Sequence, residues 1–402
     1  MDIQRLKSLL AIFLLITAAI GLSLISVHVW GGKPEKAQVP QNLTISEDMT
    51  VLQISEVNGL PPELLKRALH LSPGQGQNKT LSQLGLSPEG AKARIVRAAT
   101  IASEENTKDW RKIFAKFTLW IVFLIIPFVL MRKKRMRPII RKWLLAISVL
   151  LFGVILGSDP SPMGTVKDAI VLYGKHSAIF PPRMIALAVF LVLVVAANKF
   201  ICAWGCQVGV LQDLIHRLAR KSNDRKGIFP QYKPSFVLTN SIRILTFTTL
   251  IIVAFFGAYD IIEPVDPFKA FNPAHLGIAG SISVGVLLAT SIYIWRPWCH
   301  FFCPFGLVGW AFEKLSIFKI VVNYETCIRC EACAKTCPST VMEAILKRDR
   351  VIPDCFACSS CIDVCPTSSV SLLANRRSRP LSGKWETKED KARLMRSYGH
   401  RQ

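Results

Sequence analysis

The sequence predicts a mostly α-helical, polytopic membrane protein that carries a small α+β domain near its carboxyl end. Three observations lead to this fold class. About half of the 402 residues are hydrophobic, and they are gathered in long runs, which is typical of a membrane protein with soluble parts attached. The loops between these runs are rich in lysine and arginine, and eight of the twelve cysteines lie between residues 327 and 365.

Six apolar segments are candidate membrane spans. They cover roughly residues 8–28, 114–131, 143–158, 183–201, 243–262 and 277–295. The first follows the basic start MDIQRLK, which also suits a signal peptide, but the run is long and has no clear small-residue cleavage site. We therefore expect residues 1–29 to be an uncleaved membrane anchor.

Loop charges predict the orientation of the spans. The segment 132–142, RKKRMRPIIRK, carries seven basic and no acidic residues, and 216–226 is also strongly basic. By the positive-inside rule both loops belong in the cytoplasm, which places both chain ends there as well. The formal net charge of +23 is then explained by topology, and we expect no nucleic-acid partner.

The cysteines agree with this topology, because all twelve fall on its cytoplasmic side. A reducing compartment keeps thiols available for metals rather than for disulfides. We therefore expect a multi-pass protein of the plasma (inner) membrane, surrounded by the lipid bilayer, whose carboxy-terminal domain is cytoplasmic.

Two segments flank the predicted membrane domain, 113–316, and its following domain, 317–375. Residues 30–112 contain no cysteine and hold two weakly similar helical patterns, MTVLQISEVNGLPPELLKRAL and KTLSQLGLSPEGAKARIVRA. They predict a small external helical domain that docks a partner. Residues 376–402 are basic and poor in apolar residues, which predicts a disordered or membrane-surface tail.

The membrane domain contains an internal repeat at an offset of 97 residues. FICAWGCQVGVLQDLIHRL (200–218) aligns with PWCHFFCPFGLVGWAFEKL (297–315). Each copy consists of a span, an outer loop, a second span, a Cys-x3-Cys pair and an amphipathic helix. Both copies of this two-span unit run in the same direction, so a pseudo-twofold axis along the membrane normal would relate them.

The most specific motif is CIRCEACAKTCP (327–338), which returns as CFACSSCIDVCP (355–366). Short Cys-x2-Cys turns let three thiolates close on one iron–sulfur cubane, and in two-cluster ferredoxins the fourth cysteine departs towards the other cluster. If this crossed pattern holds, one 4Fe–4S cluster is bound by Cys327, Cys330, Cys333 and Cys365, and the second by Cys355, Cys358, Cys361 and Cys337.

The alternative for these eight cysteines is a pair of zinc sites. Zinc favours four ligands in two separated pairs, not triplets with a displaced fourth ligand. The small side chains at Ala332, Ala357, Ser359 and Ser360 leave room for a cluster and for backbone N–H bonds to sulfur. Between the motifs, STVMEAI predicts a short helix and LKRDRVI (346–352) a small hairpin, which completes the α+β, ferredoxin-like domain.

The Cys-x3-Cys pairs are a second candidate site. Positions i and i+4 share one face of a helix, so two pairs about a pseudo-twofold axis would bring together Cys202, Cys206, Cys299 and Cys303. Just past the cytoplasmic ends of the fourth and sixth spans, they could hold a metal or a further cluster, or act as a redox dithiol. The alternative is four buried thiols that serve as small apolar residues. His300 is a candidate ligand, although its counterpart in the first copy is Ala203.

These motifs, over about residues 115–375, resemble the membrane-bound polyferredoxins of the NapH type, with the YccM-like and NosR/CcoG proteins as wider relatives. Gln207 stands where the family pattern has proline after the second cysteine. The resemblance implies electron transfer between the quinone pool, cytoplasmic clusters and a redox partner protein.

The resemblance also implies an alternative function, because CcoG-like members reduce copper. In this alternative the chain is a copper-ion reductase or metal-handling protein, and the soft thiolates would suit Cu(I). A third hypothesis is a non-redox scaffold.

A quinone partner would need a proton acceptor beside its ring, because quinol oxidation releases protons. The predicted outer loops offer Asp159, His176, Glu263, Asp266 and His275. The alternative interpretation of these residues is a solvated loop with helix caps.

Overall fold

The computed structural model describes residues 3–30, 43–71, 79–221, 226–347, 349 and 351–378. Within these ranges the chain is mostly helical and contains one two-stranded antiparallel sheet. The predicted basic tail, 376–402, lies outside the described residues from position 379 onward, as do the first two residues of the predicted anchor.

The elements follow in chain order. The helices of the described residues are α1 (Ile3–Trp30), α2 (Val51–Asn58), α3 (Pro62–Leu69), α4 (Pro88–Asn106), α5 (Trp110–Arg132), α6 (Pro138–Ser148), α7 (Pro162–His176), α8 (Pro181–Ala197), α9 (Phe200–Trp204), α10 (Gln207–Leu218), α11 (Phe236–Phe256), α12 (Ile278–Tyr293), α13 (Pro297–Phe301), α14 (Pro304–Glu313), α15 (Ala332–Thr336), α16 (Val341–Lys347) and α17 (Ser360–Val364). The strands are β1 (Lys319–Val322) and β2 (Val370–Leu373). A π-helical segment, Val149–Ile155, extends α6.

Four helices of the described chain are long and apolar enough to cross a membrane. They are Ile3–Ser26, Trp110–Arg132, Pro138–Ile155 and Phe236–Phe256. The fourth and sixth predicted spans form shorter apolar helices, α8 with 17 residues and α12 with 16. At 1.5 Å per residue these helices reach about 25 Å, somewhat less than the hydrocarbon core of about 30 Å. The count of six spans therefore stays a prediction.

Backbone geometry explains where the two shorter helices end. α8 ends at Ala197 because Asn198 takes a positive φ of 56°, and α12 ends at Tyr293 because Ile294 is extended, with a φ of −117° and a ψ of 131°. Neither a positive φ nor an extended backbone continues a right-handed helix. Both helices therefore stop just before the Cys-x3-Cys pairs, at equivalent places in the two copies.

Aromatic side chains fill the centre of the helical bundle. Trp120, halfway along α5, is 1% exposed, and its ring packs against Phe117, Phe152 and Phe190 at centroid distances of 5.4 to 5.5 Å. The opposite face of α5 leaves large apolar side chains exposed, such as Phe114 at 76%. One packed face and one exposed apolar face are what a helix at the edge of a membrane bundle needs.

Residues 43–71 and 79–107 form a small helical unit with its own apolar core. Thr50 and Gln53 form a capping box at the start of α2, and Thr80 and Gln83 repeat the same reciprocal bonds. This repetition explains the two similar sequence patterns. Arg183 of α8 donates to Glu104 of α4 at 2.8 Å, so the unit is tied to the helical bundle.

The carboxy-terminal domain contains α15, α16, α17 and the sheet. β1 pairs with β2 antiparallel, with Lys319 opposite Leu373. The predicted hairpin at 346–352 is wrong for its described residues, because α16 continues through Lys347 and the sheet instead joins the two ends of the domain. Arg132, at the end of α5, donates to the carbonyl of Leu372 at 3.0 Å, which fixes this domain on the helical bundle.

Candidate functional site

The eight cysteines of the carboxy-terminal domain line two separate cavities. The distal quartet consists of Cys327, Cys330, Cys333 and Cys365, which line one cavity. The proximal quartet consists of Cys337, Cys355, Cys358 and Cys361, which line the other. The structure thus brings the cysteines together in the two crossed sets of the sequence analysis.

Both motifs fold around their cavities with the same backbone turns. Arg329 and Glu331 have positive φ, and so do Ala357 and Ser359, which stand at the equivalent positions of the second motif. Turns that alternate right- and left-handed geometry point successive N–H groups into a concavity that binds anions, as at many iron–sulfur sites. The backbone therefore fits a negatively charged cluster in each cavity.

The thiol groups need to lose protons before they can bind iron. Burial raises the pKa of Cys333 to about 12 and raises the pKa of Cys361 well above its usual value, where the neighbouring thiols add to the effect. Cys365 differs: burial acts to raise its pKa, but hydrogen bonds from Thr367 and from backbone N–H groups lower it overall. Binding of a cluster would therefore release protons.

The quartets surround space rather than meeting at one point. Across the described ranges, no three His, Cys, Asp or Glu side chains are grouped so that they could hold a single metal ion. A tetrahedral zinc site needs all four sulfurs at about 2.3 Å from one centre. Cysteines at the corners of a cavity instead fit a cubane, in which each thiolate binds a different iron. The geometry therefore favours clusters over zinc.

The four remaining cysteines form a membrane quartet, defined as Cys202, Cys206, Cys299 and Cys303. All four are buried, between 6% and 8% exposed. A Cβ at Gly209 would be 3.0 Å from the carbonyl oxygen of Cys202 and 3.6 Å from the sulfur of Cys299, so the two copies meet at this glycine. The structure thus places the two predicted pairs together.

The prediction that each pair lies along one continuous helix is wrong. The N–H groups of Gly205 and Cys206 both donate to the carbonyl of Ile201, which closes α9, and Cys206 is the N-cap of α10. In the second copy Phe302 and Cys303 donate in the same way to Trp298, and Pro304 starts α14. The two helices of each copy are therefore separated by a turn.

The quartet also lies deeper than the predicted position just past the ends of the spans. The indole N–H of Trp120, halfway along α5, donates to the carbonyl of Gly205 at 3.1 Å. Gln207 donates weakly to Gly157, beyond the π-helical segment, at 3.5 Å. The membrane quartet is therefore level with the middle of α5, inside the bundle.

At this quartet, one buried cation from each copy donates hydrogen bonds to the backbone of the other copy. Arg296, three residues before Cys299, donates to the carbonyls of Cys202 and Ala203 in the first copy. Lys199, its counterpart three residues before Cys202, donates to the carbonyl of Gly306 in the second copy. Neither cation was predicted from the sequence, although a basic residue three positions before the first cysteine of each pair was the available signal.

The cations outnumber the carboxylates that pair with them. Asp213 binds Arg296 at 2.7 Å and Arg217 at 2.8 Å, while Asp354 binds Lys199 at 2.8 Å and Arg243 at 2.6 Å. Four buried cations thus share two buried carboxylates. The surplus positive charge favours thiolates or an anionic cluster at the membrane quartet.

The membrane quartet is joined directly to the proximal quartet. The backbone N–H of Lys199 donates to the carbonyl of Cys355 at 3.4 Å, and Glu313, at the end of α14, accepts the N–H of Cys355 at 2.9 Å. The indole of Trp204 donates to the carbonyl of Ala357 at 3.3 Å. Elements of both copies therefore hold the loop that carries the proximal quartet.

His300 has no ligand geometry in the described chain. Its ring packs against Trp295 and Phe356, with centroid distances of 5.5 and 5.6 Å. It belongs to no group of side chains that could hold a single metal ion. Its contacts are those of an aromatic packing residue.

A third feature, the outer cleft, opens at the opposite end of the bundle from the ferredoxin-like domain. It lies between the start of α5, the segment 159–161, α7 and α8. Its walls are mostly apolar, and charged side chains surround it: Lys108, Asp159, Asp168 and Arg183. Three of the predicted proton acceptors, Asp159, Glu263 and Asp266, are therefore in or near one region. His176 lies at the far end of α7.

Comparisons with known proteins agree with these observations. The family described as "4Fe-4S dicluster domain" matches residues 319–376. The family described as "4Fe-4S binding domain" matches twice, at 179–225 and 276–320, over the two Cys-x3-Cys pairs. The fold and the sites thus define a protein with 4Fe–4S-binding domains and long apolar helices.

The chain is also similar to individual known proteins. "Putative electron transport protein YccM" of Escherichia coli is 31% identical over 179 residues, 42% of this chain and 49% of that protein. "Regulatory protein NosR" of Pseudomonas aeruginosa is 26% identical over 149 residues, 34% of this chain and 19% of that protein. The chain resembles the membrane-bound, NosR-like polyferredoxins, as the motifs indicated.

An uncharacterised protein of Methanocaldococcus jannaschii is 23% identical over 158 residues, 39% of this chain and 65% of that protein. The matches therefore span less than two thirds of the length of each of these relatives. No solved structure gives a significant match.

Proposed function

We propose that this chain relays electrons between the membrane and a redox partner protein through two 4Fe–4S clusters, one at the proximal quartet and one at the distal quartet. The observation that carries the proposal is the contact of Lys199 with Cys355, because Lys199 lies three residues before Cys202 and so links the segment of the membrane quartet to the proximal quartet. Iron–sulfur clusters exchange single electrons, and stepwise transfer needs such close neighbours.

The residues around each quartet act by holding ligands and by shaping their electrostatics. Arg141 and Arg217, from helices of the bundle, donate to Ser359 and Ser360 beside the proximal quartet. The N–H of Ser369 donates to the sulfur of Cys365 at 3.2 Å. Hydrogen bonds to ligand sulfur and burial are the main means by which a protein sets a cluster's potential.

The membrane quartet is proposed to hold a further iron–sulfur centre. Its support is the match of both pairs to a 4Fe–4S binding family, together with the surplus of buried positive charge. Such a centre would extend the relay from the proximal quartet into the middle of the bundle. Gln207 is the first residue of α10, where the family pattern has proline. Proline favours the start of a helix at this position but is not required for it, so Cys206 keeps its role as the N-cap of α10.

The proposed relay has one end in the helical bundle and one end at the protein surface. The proximal quartet contacts the bundle, whereas Cys330 of the distal quartet is exposed, so the soluble redox partner would dock beside Cys330. We place this end in the cytoplasm, with six spans in the plasma (inner) membrane and residues 30–112 outside, where they would dock a further partner. The basic loop after α5, beside the ferredoxin-like domain, supports this orientation.

The proposed electron source or sink on the membrane side is the quinone pool. A lipid-soluble carrier suits a protein whose buried centre is level with the middle of α5. The alternative, copper handling, rests on the soft character of the four thiols of the membrane quartet. The two candidates predict different metals at the membrane quartet of the purified protein, iron for the relay and copper for the alternative.

Anaerobic purification followed by iron, sulfide and copper quantitation tests the assignment. Three cubanes require about twelve iron and twelve sulfide ions per chain, and two require about eight. Cys202→Ser and Cys299→Ser should each lower the iron content by about a third if the membrane quartet binds a cluster. Copper that is bound in stoichiometric amount and lost in the same variants would support the copper alternative instead.

Electron paramagnetic resonance tests the relay itself. A chemical reductant and a reduced quinone should both produce the signals of reduced clusters in the wild-type protein. The relay is refuted if iron-replete protein shows no change with any reductant or membrane donor. Cys358→Ser in a folded variant should abolish transfer to a soluble acceptor, and full function in that variant would favour the scaffold hypothesis.

A further inference from the structure

The outer cleft has the walls of a pocket for a flat aromatic ring. Trp110, Ile113 and Phe117 of α5 line it together with Phe180 and Ala186 of the chain around α8, and the rings of Trp110 and Phe180 lie 6.5 Å apart. Beside it, α8 exposes Ile185 at 65%, as a lipid-facing helix does, so a ligand dissolved in the bilayer can approach the cleft. Pockets with apolar walls and a few polar groups are typical of small-ligand sites.

An aromatic pathway connects this cleft with the membrane quartet. The ring of Phe117 lies 5.5 Å from that of Trp120 and 5.6 Å from that of Phe190. The indole N–H of Trp120 then donates to Gly205, the neighbour of Cys206. Only a few packed side chains therefore separate the cleft from the nearest thiol.

An acidic cluster connects the same cleft with solvent. Asp168 lines the cleft and lies 3.2 Å from Lys167. Lys167 is 3% exposed, and its ammonium group also binds Asp260 and Glu263 at 3.0 Å and Asp266 at 3.4 Å. Glu263 is 55% exposed. Four carboxylates around one buried lysine thus form a continuous set of proton-binding groups that leads outward.

We propose that the outer cleft binds a membrane hydroquinone, and that Asp168 and the carboxylates around Lys167 carry its protons to the outer surface. This proposal rests on the proposed relay and names where its lipid-soluble partner would react. Oxidation breaks the two O–H bonds of the hydroquinone and yields the quinone, two protons and two electrons. The electrons leave in two single steps to oxidised iron–sulfur centres, and the protons pass to carboxylates that start at Asp168.

The direct test is binding of a short-chain quinone analogue to the purified, full-length protein in detergent. Quinones quench tryptophan fluorescence, and Trp110 lines the cleft. Ala186→Phe fills the cleft and should weaken binding at least about tenfold, which is about 1.4 kcal/mol. Val192→Phe is the matched control, because it makes a similar change on the same helix at a position 66% exposed. It should bind like the wild type.

Reduction kinetics separate this proposal from the relay. Asp168→Asn should retain binding of the analogue but slow reduction of the clusters by the reduced analogue at least about tenfold, about 1.4 kcal/mol in the barrier. Reduction by dithionite should be unchanged in every variant, which shows that the clusters are intact. If Ala186→Phe lowers the iron content, Phe180→Ala removes one wall of the cleft instead and should also weaken binding.

The inference is overturned if the variants of the cleft bind the analogue and accept its electrons as the wild type does. It is equally overturned if the wild-type protein does not bind the analogue while dithionite reduces its clusters. In both cases the relay survives with another membrane contact. A protein whose clusters respond to no reductant would instead refute the relay.

Discussion

Lys199 and Asp354 form an ion pair, with 2.8 Å between Nζ and Oδ1, that joins the first Cys-x3-Cys copy to the residue before Cys355. Both side chains are at most 1% exposed. Arg243 of α11 binds the other oxygen of Asp354 at 2.6 Å and also donates to the carbonyl of Cys299. One carboxylate therefore connects the loop of the proximal quartet to cations that contact both copies.

Lys199→Met should destabilise the protein strongly. Removal of one partner of a buried ion pair costs about 3–5 kcal/mol, because the other charge stays buried. Since Arg243 still binds Asp354, we expect about 3 kcal/mol, the lower end of that range. Thermal unfolding with simultaneous detection of iron release measures the effect. Lys347→Met, which breaks an exposed pair with Glu343, is the control, and a similar loss in both variants would contradict this role of Lys199.

The crossed assignment of ligands predicts which cysteine variants share a phenotype. Cys337→Ser should remove the same paramagnetic signal as Cys355→Ser, although the two residues lie in different motifs, because both line the proximal cavity. Cys365→Ser should remove the other signal together with Cys330→Ser. If Cys337→Ser instead affects the signal that Cys330→Ser removes, each motif holds its own cluster and the crossed assignment is wrong.

Ligand chemistry fixes both the residue type and the spacing of the cysteines, so the quartets can be predicted from the sequence alone, and their role as cluster ligands stays a prediction. The sequence also predicts the helical membrane class, since apolar runs must reach a set length. The turn that separates Cys202 from Cys206 was not predicted, because the i, i+4 spacing does not show that Gly205 and Cys206 both bond to Ile201.

The buried cations were missed for a different reason. A lysine just after an apolar run normally predicts a membrane boundary. Lys199 is buried where the carbonyl of Gly306 and Asp354, 155 residues later in the chain, both accept from it. The repeated basic residue marks the position in the sequence, but its burial and its partners depend on tertiary structure.

Arg296 provides a test of the site in the bundle. Its guanidinium group binds two carbonyls and Asp213 at once, and a lysine cannot reproduce this planar fork. Arg296→Lys should therefore lose the centre at the membrane quartet, with a fall of about a third in iron content, while the two ferredoxin clusters remain. Arg132→Lys, which alters a single bond to Leu372, should keep all iron. Equal iron content in Arg296→Lys and Arg132→Lys would show either that the membrane quartet binds no metal or that its centre does not need the guanidinium group of Arg296.

Asp266, near the outer cleft, should give the protein a specific pH dependence. Burial raises the pKa of Asp266 to about 6, although Lys167 and the N–H of Phe268 act to lower it. The folded state therefore binds this proton more tightly than the unfolded state does. The resulting stability is fully present below about pH 4 and is lost as the pH rises through about 6, by up to about 3 kcal/mol for a shift of about two pK units.

Asp266→Asn, which resembles the protonated carboxyl group, should remove this loss. Thermal unfolding of both proteins between pH 4 and pH 7.5 should show the wild type losing stability relative to the variant up to about pH 6, with a constant difference above it. Glu263→Gln is the matched control in the same cluster. Burial acts to raise the pKa of Glu263, but Lys167 and Lys269 lower it overall, so its contribution has the opposite sign and is lost as the pH falls. Parallel pH profiles for the wild type and Asp266→Asn would show that Asp266 does not titrate in this window.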